Sequence, residues 1–399
     1  MTETGRVYSY PFQGPTNGLE IHPRVAELRE QEPLARVQLP YGAEGWLVAR
    51  HDDVKIVNSD PRFSRASVGE DTPRTTPLSL RSENILSIDP PDHTRLRRLV
   101  SKAFTPRRIG EMQSWLEELA SGLIDDMARK GPPADAVKDL AEPFSVAVIC
   151  RLLGVPYEDR GRFQHWSEMI MSSTTYSKEE VAAANFALYC YLADLVAARR
   201  AAHHDDLLGV LVAARDDEDR LSEEELITFA VTLLIAGHET TAHQLANMIY
   251  VLLTHEDQLT LLREQPELLP RAVEELLRFV PLGIGIVNAR IATEDVELSG
   301  GTVRAGEGVL APVSHANRDP RVFTDPDRLD ITREKNPHLT LGHGAHYCLG
   351  AQLARMELQV AIGTLLERFP DVHLSVPAQE IPWKTGMLFR GPQQLSIAW

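Results

Sequence analysis

The sequence has few cysteines, no long apolar run and no excess of positive charge. Its 399 residues include three cysteines, Cys150, Cys190 and Cys348, and none of them falls in a CxxC spacing. That usage excludes a disulfide framework and suits a reducing compartment. No run of about 18 apolar residues occurs, and residues 1–7 lack the apolar stretch of a signal peptide. We therefore predict a cytoplasmic protein with no membrane partner.

Acidic residues outnumber basic ones. The chain has 57 aspartates and glutamates against 41 lysines and arginines, a net charge of −16, which argues against nucleic acid as a partner. The hydrophobic fraction of 43% is that of an ordinary globular protein with a large core. No Gly/Ser-rich linker, low-complexity segment or internal repeat divides the sequence. We therefore predict one domain over residues 1–399, despite a length that favours two or three.

Strand signals are concentrated in two regions. Residues 34–50 alternate in hydrophobicity on either side of Pro40-Tyr41-Gly42, which predicts a hairpin. Strand character returns over residues 281–313, with a turn at Gly300-Gly301. Residues 110–220 are typical of successive helices, and we expect Cys150 and Cys190, which lie on apolar stretches there, to be in the core.

Cys348 lies between a glycine-rich turn and a predicted helix. Gly342 and Gly344 precede it, and both can adopt the positive φ that a tight turn requires. Apolar residues recur at helical spacing over 349–369, with no proline before Pro370. A helix N-terminus favours a thiolate over a thiol. Cys348 is therefore a candidate metal ligand or nucleophile; the alternative is an inert buried cysteine.

A long central helix is the second strong signal. Ser222 and Glu225 have the spacing of a capping box, and residues 223–254 contain no proline. A helix of that length would be about 48 Å long. Inside it lies Ala236-Gly237-His238-Glu239-Thr240-Thr241, where a small residue and a glycine would let a flat group approach the backbone. A threonine hydroxyl there can bond back to a carbonyl one turn earlier.

The same segment has to be compared with a zinc-peptidase motif. His238-Glu239 resembles the start of HExxH, but the second histidine, His243, comes five residues later instead of four. Two histidines with that spacing do not share a helical face. The zinc interpretation therefore fails on geometry.

The Cys348 segment, Gly-x-Gly-x-His-x-Cys-x-Gly, resembles the haem-ligand loop of the cytochrome P450 family. The resemblance implies a mainly α protein with smaller β portions, in which haem b lies between the long central helix and the cysteine loop. It implies that Cys348 is the axial ligand of the haem iron. Leu341 departs from the family pattern, because a phenylalanine is usual at that position and packs beside the sulfur.

The resemblance also assigns roles to residues elsewhere. Glu239 and Thr240 match the acid–alcohol pair that relays protons for oxygen activation. The residues expected to bind the haem, four of them at its propionates, are His93, Arg97, Arg290 and His346, together with Ala236, Gly237 and Gly350. Without the resemblance, His93 and Arg97 would read as one solvated helix face.

The family's ExxR pair corresponds to Glu275 and Arg278, which are spaced to form an ion pair. A third partner is usually a downstream arginine. We expect Arg328 in that role, with Arg333 as its rival.

The implied activity is that of a monooxygenase in secondary metabolism. The segments flanking the pocket are most similar to actinobacterial enzymes of the mycinamicin-type hydroxylase/epoxidase group, so we expect hydroxylation or epoxidation of a large, apolar, macrolide-type polyketide. Val287 and Leu388 are the candidate substrate contacts. The alternatives are a haem-thiolate enzyme for oxidative coupling or rearrangement of another natural product, and a non-catalytic haem sensor.

The expected electron donor is NAD(P)H, acting through a ferredoxin reductase and a ferredoxin. Six basic residues and no acidic one occur between Arg95 and Arg108. In so acidic a chain this patch could steer a small acidic protein such as a ferredoxin.

Overall fold

Helices dominate the computed structural model of the chain, which describes residues 6–12, 18–78, 84–101, 104–200, 206–216, 221–283 and 289–399. The helices are α1 (Arg24–Gln31), α2 (His51–Ser59), α3 (Asp92–Ser101), α4 (Pro106–Gly110), α5 (Gln113–Lys130), α6 (Glu142–Leu153), α7 (Arg160–Ile170), α8 (Lys178–Arg200), α9 (Leu207–Asp216), α10 (Glu223–Leu253), α11 (Glu256–Glu264), α12 (Leu269–Phe279), α13 (Val313–Ala316) and α14 (Ala351–Arg368). This confirms the expected mainly α class.

The strands form one larger sheet and two small ones. They are β1 (Val7–Ser9), β2 (Leu34–Gln38), β3 (Glu44–Val48), β4 (Phe63–Ser64), β5 (Ala134–Asp135), β6 (Arg290–Ala292), β7 (Val296–Leu298), β8 (Gly301–Val303), β9 (Gly308–Leu310), β10 (His373–Leu374) and β11 (Ser396–Ala398). The six-stranded sheet has the order β1-β2-β3-β9-β6-β4, and the others are β10-β11-β5 and β7-β8.

Both predicted strand regions contribute to the larger sheet, the first through β2 and β3 and the second through β6 and β9, while β7 and β8 form a sheet of their own. The hairpin of β2 and β3 is antiparallel, with Leu34 opposite Val48, and β7 and β8 meet at the Gly300-Gly301 turn. β3 pairs in parallel with β9, so the sheet joins the first part of the chain to the part that carries Arg290. The sheet thereby fixes Arg290 relative to the N-terminal region.

α10 is the central helix that the sequence predicts. Ser222 Oγ accepts a hydrogen bond from Glu225 N at 3.0 Å, and Glu225 Oε2 accepts one from Ser222 N at 2.7 Å, which completes the capping box. Most of its 31 residues are buried, and α6 packs along it. A helix that is apolar on nearly all sides is stable only when other elements surround it.

α8 differs from the prediction in two respects. It is the one described helix whose length and apolarity would allow a membrane span. Part of the apolar character of α8 comes from a buried stripe at helical spacing, which packs inside the protein and consists of Val181, Ala184, Leu188 and Leu192. Cys190 lies on the opposite face and is exposed, so its expected place in the core is wrong, whereas Cys150 is buried.

The carboxylate of Glu275 is the centre of a buried polar network. Arg278 donates Nε to Oε2 and Nη2 to Oε1, both at 2.8 Å, which confirms the ion pair. Arg333 donates its Nε to Oε2 at 3.1 Å, whereas Arg328 contributes its backbone carbonyl to Arg278. The expectation that Arg328 is the third partner is wrong. Its side chain is exposed, while Arg333 reaches the buried carboxylate.

We expect Arg333→Ala to lower the free energy of unfolding by about 1–3 kcal/mol, because Glu275 loses a charged donor in a buried site. Arg328→Ala is the matched control and should change it by less than about 0.5 kcal/mol, because its backbone carbonyl remains. Urea unfolding of both variants measures the difference. Equal losses in the two variants would contradict the assignment of Arg333.

Candidate functional site

The Cys348 loop has the tight backbone that its glycines predict. Gly342 has a φ of 83° and Gly344 a φ of 74°. A Cβ on Gly344 would lie 2.8 Å from Asn58 O, so this position also requires a close backbone approach. Cys348 N donates to Leu341 O at 2.7 Å, and α14 begins three residues after the cysteine. The sulfur therefore lies immediately before a helix N-terminus.

Asn317 holds this loop in place from outside. Its Nδ2 donates to Thr340 Oγ1 at 2.8 Å, and its Oδ1 accepts from Leu339 N at 2.8 Å. Thr340 Oγ1 in turn donates to Leu277 O at 2.6 Å on α12. The loop is thus hydrogen-bonded to two separate elements before it reaches Cys348.

Burial raises the pKa of the Cys348 thiol above its usual value. The Gly350 N–H and the charges of Arg97 and Arg355 act in the opposite direction but do not outweigh burial. The helix terminus alone therefore does not produce the thiolate that the sequence predicts. A cation bound at the sulfur would supply the missing stabilisation.

A cavity of about 360 Å³ separates the Cys348 loop from α10. Cys348, His346 and Gly350 line it from the loop side, and Ala236, Gly237 and Thr240 line it from α10. His93 and Arg97 of α3 border the same space. The structure thus brings together residues that are up to 257 positions apart in the chain, counted from His93 to Gly350.

Gly237 is required by helix packing. A Cβ at this position would lie 2.3 Å from Cδ1 of Ile149 on α6, far inside van der Waals contact. This contact comes in addition to the role predicted from the sequence, the approach of a flat group to the backbone. Since Gly237 also lines the cavity, the close α6–α10 contact sets part of the cavity wall.

Basic residues cluster at one edge of the cavity. The rings of His93 and His346 lie 4.1 Å apart between centroids. Burial, together with the positive charges of Arg65, Arg290 and Arg97, lowers the pKa of His346 to about 2. Burial and the charge of Arg65 also lower the pKa of Arg290 to about 9.

This cluster fits an anionic ligand. The Nε2 of His346 and the Nε atoms of Arg290 and Arg65 are buried and have no hydrogen-bond partner among the described residues. Buried donors without partners are costly, and like charges in a low dielectric repel each other. A group with carboxylates at one edge, a flat body in the cavity and a cation at the sulfur would satisfy all of them. Haem, with its propionates and iron, has this chemistry.

Glu239 and Thr240, although adjacent, face different spaces. Thr240 lines the Cys348 cavity, and its Oγ1 donates to Ala236 O at 2.8 Å, the back-bond expected from the sequence. Glu239 faces a separate polar cavity of about 220 Å³ lined also by His165, Glu168 and Lys384. Burial alone would raise the pKa of Glu239, but contact with His238 and His243 holds it below its usual value.

The zinc interpretation fails in the structure as well. His243 Nδ1 lies 2.8 Å from Glu239 O, a backbone carbonyl. Across the described ranges there is no group of three His, Cys, Asp or Glu side chains arranged to hold a metal ion.

A second cavity, of about 220 Å³, meets the Cys348 cavity along α10. Ala236 and Thr240 line both of them. Ile170, Met171 and Ile235 give the second cavity apolar walls. We call it the distal cavity, and it lies on the side of α10 where a substrate would approach Thr240.

The two predicted substrate contacts have different outcomes. Leu388 lines neither the Cys348 cavity nor the distal cavity: it is buried, and its N–H donates to Met171 O at 2.9 Å, whereas the next residue, Phe389, lines the distal cavity. Val287 lies outside the described residues.

The sequence analysis missed Arg65 and most of the distal cavity. Arg65 lies in an irregular stretch with no periodicity, and it becomes part of the basic cluster because Asp89 accepts from its backbone N–H at 3.0 Å. Asn185, Tyr189 and Thr228 line the distal cavity from α8 and α10. The spacing of four between Asn185 and Tyr189 indicates a shared helix face, but nothing local indicates that this face encloses a cavity with α10.

Comparison with known proteins identifies a family and several relatives that match over nearly the whole chain. A family model for cytochrome P450 matches residues 194–396. The chain is 52% identical to nocardicin C N-oxygenase of Nocardia uniformis subsp. tsuyamanensis and 48% identical to mycinamicin IV hydroxylase/epoxidase of Micromonospora griseorubida, in each case over 98% of both chains. It is 75% identical, with a TM-score of 0.92, to the LnmA cytochrome P450 hydroxylase from the leinamycin biosynthetic pathway of Streptomyces atroolivaceus S-140, covering 98% of this chain and 100% of that one.

We expect Gly237→Ala to destabilise the fold by about 1–3 kcal/mol through overpacking against Ile149. Gly122→Ala on α5 is the matched control, because a Cβ there meets open space. It should stabilise by about 0.5–1 kcal/mol, the usual gain for alanine in a helix. Chemical denaturation of both variants, and of Gly237→Ala in an Ile149→Ala background, measures the effect. A loss that persists without the Ile149 side chain would refute this packing explanation.

Proposed function

The chain belongs to the cytochrome P450 family, and from that premise we propose that it hydroxylates or epoxidises a large, apolar, macrolide-type polyketide. It is a monooxygenase, and it uses haem. The observation that carries the proposal is that Cys348 and Thr240 face one cavity from opposite sides, and that this cavity meets the apolar distal cavity at Thr240. A substrate in the distal cavity would therefore lie next to the position where oxygen is activated.

The haem would be held by residues at three places. Cys348 would provide the iron ligand, and Ala236, Gly237 and Gly350 would border the flat face of the porphyrin. The propionates would bind at the basic cluster, with His93, Arg97, Arg290 and His346 as donors and Arg65 as an additional one. Charge-assisted hydrogen bonds of this kind are short and strong. When bound, haem supplies the oxidising chemistry, while the protein orients the substrate.

The side chains of Glu239 and Thr240 would deliver protons to the site of oxygen activation. The Thr240 hydroxyl, held by its bond to Ala236 O, can keep a proton at the oxygen-binding side of the cavity. Glu239 is the acid of the pair and lies beside a polar cavity with His165 and Lys384, from which a proton can enter. A positioned acid and base of this kind contributes to rate through general acid–base catalysis.

The substrate assignment is supported by the relatives and by the pocket. The relative named for mycinamicin hydroxylation and epoxidation and the hydroxylase of the leinamycin pathway both act in the synthesis of secondary metabolites. The described lining of the distal cavity contains no Asp, Glu, Lys, Arg or His. A neutral substrate is therefore preferred.

We propose that electrons come from NAD(P)H through a ferredoxin reductase and a ferredoxin, in the cytoplasm. The exposed Arg98, Arg107 and Arg108 lie in the basic stretch before and along α4. They would attract an acidic redox partner by complementary charge. Free cysteines throughout the described chain support a reducing compartment.

The reduced protein should bind carbon monoxide with the absorption band of a thiolate-ligated haem. Cys348→Ser should lose that band, because a hydroxyl is not a thiolate donor. Cys190→Ser, at an exposed position on α8, is the matched control and should keep it. A histidine-type spectrum in the wild type, or an unchanged band in Cys348→Ser, would contradict Cys348 as the ligand.

Thr240→Ala should reduce product formed per NAD(P)H by roughly tenfold or more and release hydrogen peroxide instead, because the proton held at its hydroxyl is lost. Thr254→Ala at the end of the same helix removes a similar back-bonded hydroxyl, to Tyr250 O at 2.9 Å, and should leave coupling unchanged. The measurement is the ratio of peroxide to product. An unchanged ratio in Thr240→Ala would remove this residue from the proton path.

A further inference from the structure

We propose that the distal cavity anchors its substrate through Asn185 and Thr228, and hence that the substrate carries an uncharged hydrogen-bonding group, such as a hydroxyl, carbonyl or amide, remote from the carbon attacked. This inference rests on the proposed function and makes it more specific. It assigns a polar anchor to a cavity whose other walls are mainly apolar.

Two helix faces supply the polar wall. On α10, residues 228, 232, 236 and 240 are spaced four apart, and all of them line the distal cavity. Thr228 and Thr232 therefore lie on the cavity side of α10, closer to the helix N-terminus than Thr240. On α8, Asn185 and Tyr189 are also four apart and line the same cavity. The substrate would therefore lie between two helices that each present polar groups.

Most of the polar side chains in this wall already have partners. Thr232 Oγ1 donates to Thr228 O at 2.8 Å and accepts from Asn84 Nδ2 at 2.8 Å. Thr76 Oγ1 donates to Leu78 O at 2.8 Å, and Thr240 Oγ1 donates to Ala236 O. The hydroxyl donors of Thr76 and Thr232 are therefore used within the protein and are not available to a substrate in the distal cavity.

Thr228 and Asn185 are different. Thr228 is 3% exposed, and its Oγ1 has no hydrogen-bond partner among the described residues. The side-chain amide of Asn185, which lies on α8 with partial exposure, makes no hydrogen bond within the described chain either. A buried hydroxyl without a partner is unfavourable, because it has lost its hydrogen bonds to water. A ligand group that bonds to it would recover that cost.

The position of Thr228 sets a length. It lies twelve residues before Thr240 on α10. At 1.5 Å per residue this is a separation of about 18 Å along the helix axis, and about 12 Å for Thr232. Val231 and Ile235 line the space between. The substrate is therefore expected to have a polar end, an apolar middle and a reacting carbon at the opposite end.

The test uses the holoenzyme and two matched series of probes. N-alkylimidazoles from octyl to tetradecyl bind haem iron through the imidazole, which fixes one end of the chain in the Cys348 cavity. The N-(ω-hydroxyalkyl)imidazoles of equal length add a single hydroxyl at the other end. Dissociation constants come from the spectral shift on imidazole binding, so the readout does not depend on turnover.

We expect the hydroxyl to improve affinity about two- to tenfold over a narrow range of chain lengths, the size of one neutral hydrogen bond. Asn185→Leu and the nearly isosteric Thr228→Val should each reduce that gain and leave the alkyl series as tight or tighter. Thr254→Val, outside the cavity, should retain the gain. Thr228→Val preserves shape, so it tests the inference even if Asn185→Leu folds poorly.

Three results would overturn the inference. The hydroxyl series could bind no better than the alkyl series at any length, or the gain could persist in both Asn185→Leu and Thr228→Val. If neither series shifts the spectrum of the wild type, the proposed haem site itself fails, and this inference fails with it. The first two results would leave the monooxygenase assignment intact.

Discussion

The position of Cys348 depends on a continuous set of hydrogen bonds that begins at the buried carboxylate of Glu275. Arg278, held by that carboxylate, donates its Nη1 to Asn317 O at 2.9 Å. The amide of Asn317 then bonds to Leu339 and Thr340, a few residues before the turn that presents the sulfur. The ExxR pair therefore acts on the loop of Cys348, the proposed haem ligand, at a distance, by fixing Asn317, which holds that loop. Glu275, Arg278 and Asn317 are buried, so removing one of them would leave its neighbours without partners.

The basic cluster, to which His346 of this loop belongs, would be stabilised by an anionic ligand. Arg65, Arg290 and the two histidines are brought together by four separate segments, and burial depresses the pKa of His93, His346 and Arg290. Such an arrangement is unfavourable for the empty protein, because charges lose hydration and repel one another. An anionic ligand would offset this repulsion between positive charges. Because it would bind only the folded state, it would also stabilise the fold by mass action. Binding and folding are thus coupled through electrostatics as well as through the sulfur.

Local features of the site could be predicted, and features that depend on contacts between distant segments could not. The capping box, the proline-free α10 and the positive φ of Gly342 follow from neighbouring residues, and the structure has all three. Arg333 and Arg328 are indistinguishable in sequence, because which one reaches Glu275 is decided by the path of the chain after α13. The contact of Gly237 with Ile149, 88 positions earlier in the chain, could not be predicted, because it depends on how α6 packs against α10. Cys190 lies on an apolar helix but on its exposed face, which depends on what packs against α8.

α10 serves three cavities because successive helical residues point about 100° apart. Glu239 faces the polar cavity, whereas Thr240 faces the Cys348 and distal cavities. Two adjacent residues therefore face different environments: Glu239 faces titratable side chains, and Thr240 faces the apolar space where a substrate would lie. If an aqueous channel joined the polar cavity to the distal cavity, the reaction would be exposed to solvent. Enclosed active sites exclude solvent. Placing the acid and the alcohol on adjacent residues keeps the cavities apart while leaving their side chains one residue away from each other. The backbone of α10 thus lies between the two spaces, and Gly237, where α6 packs closely against it, is two residues before Glu239.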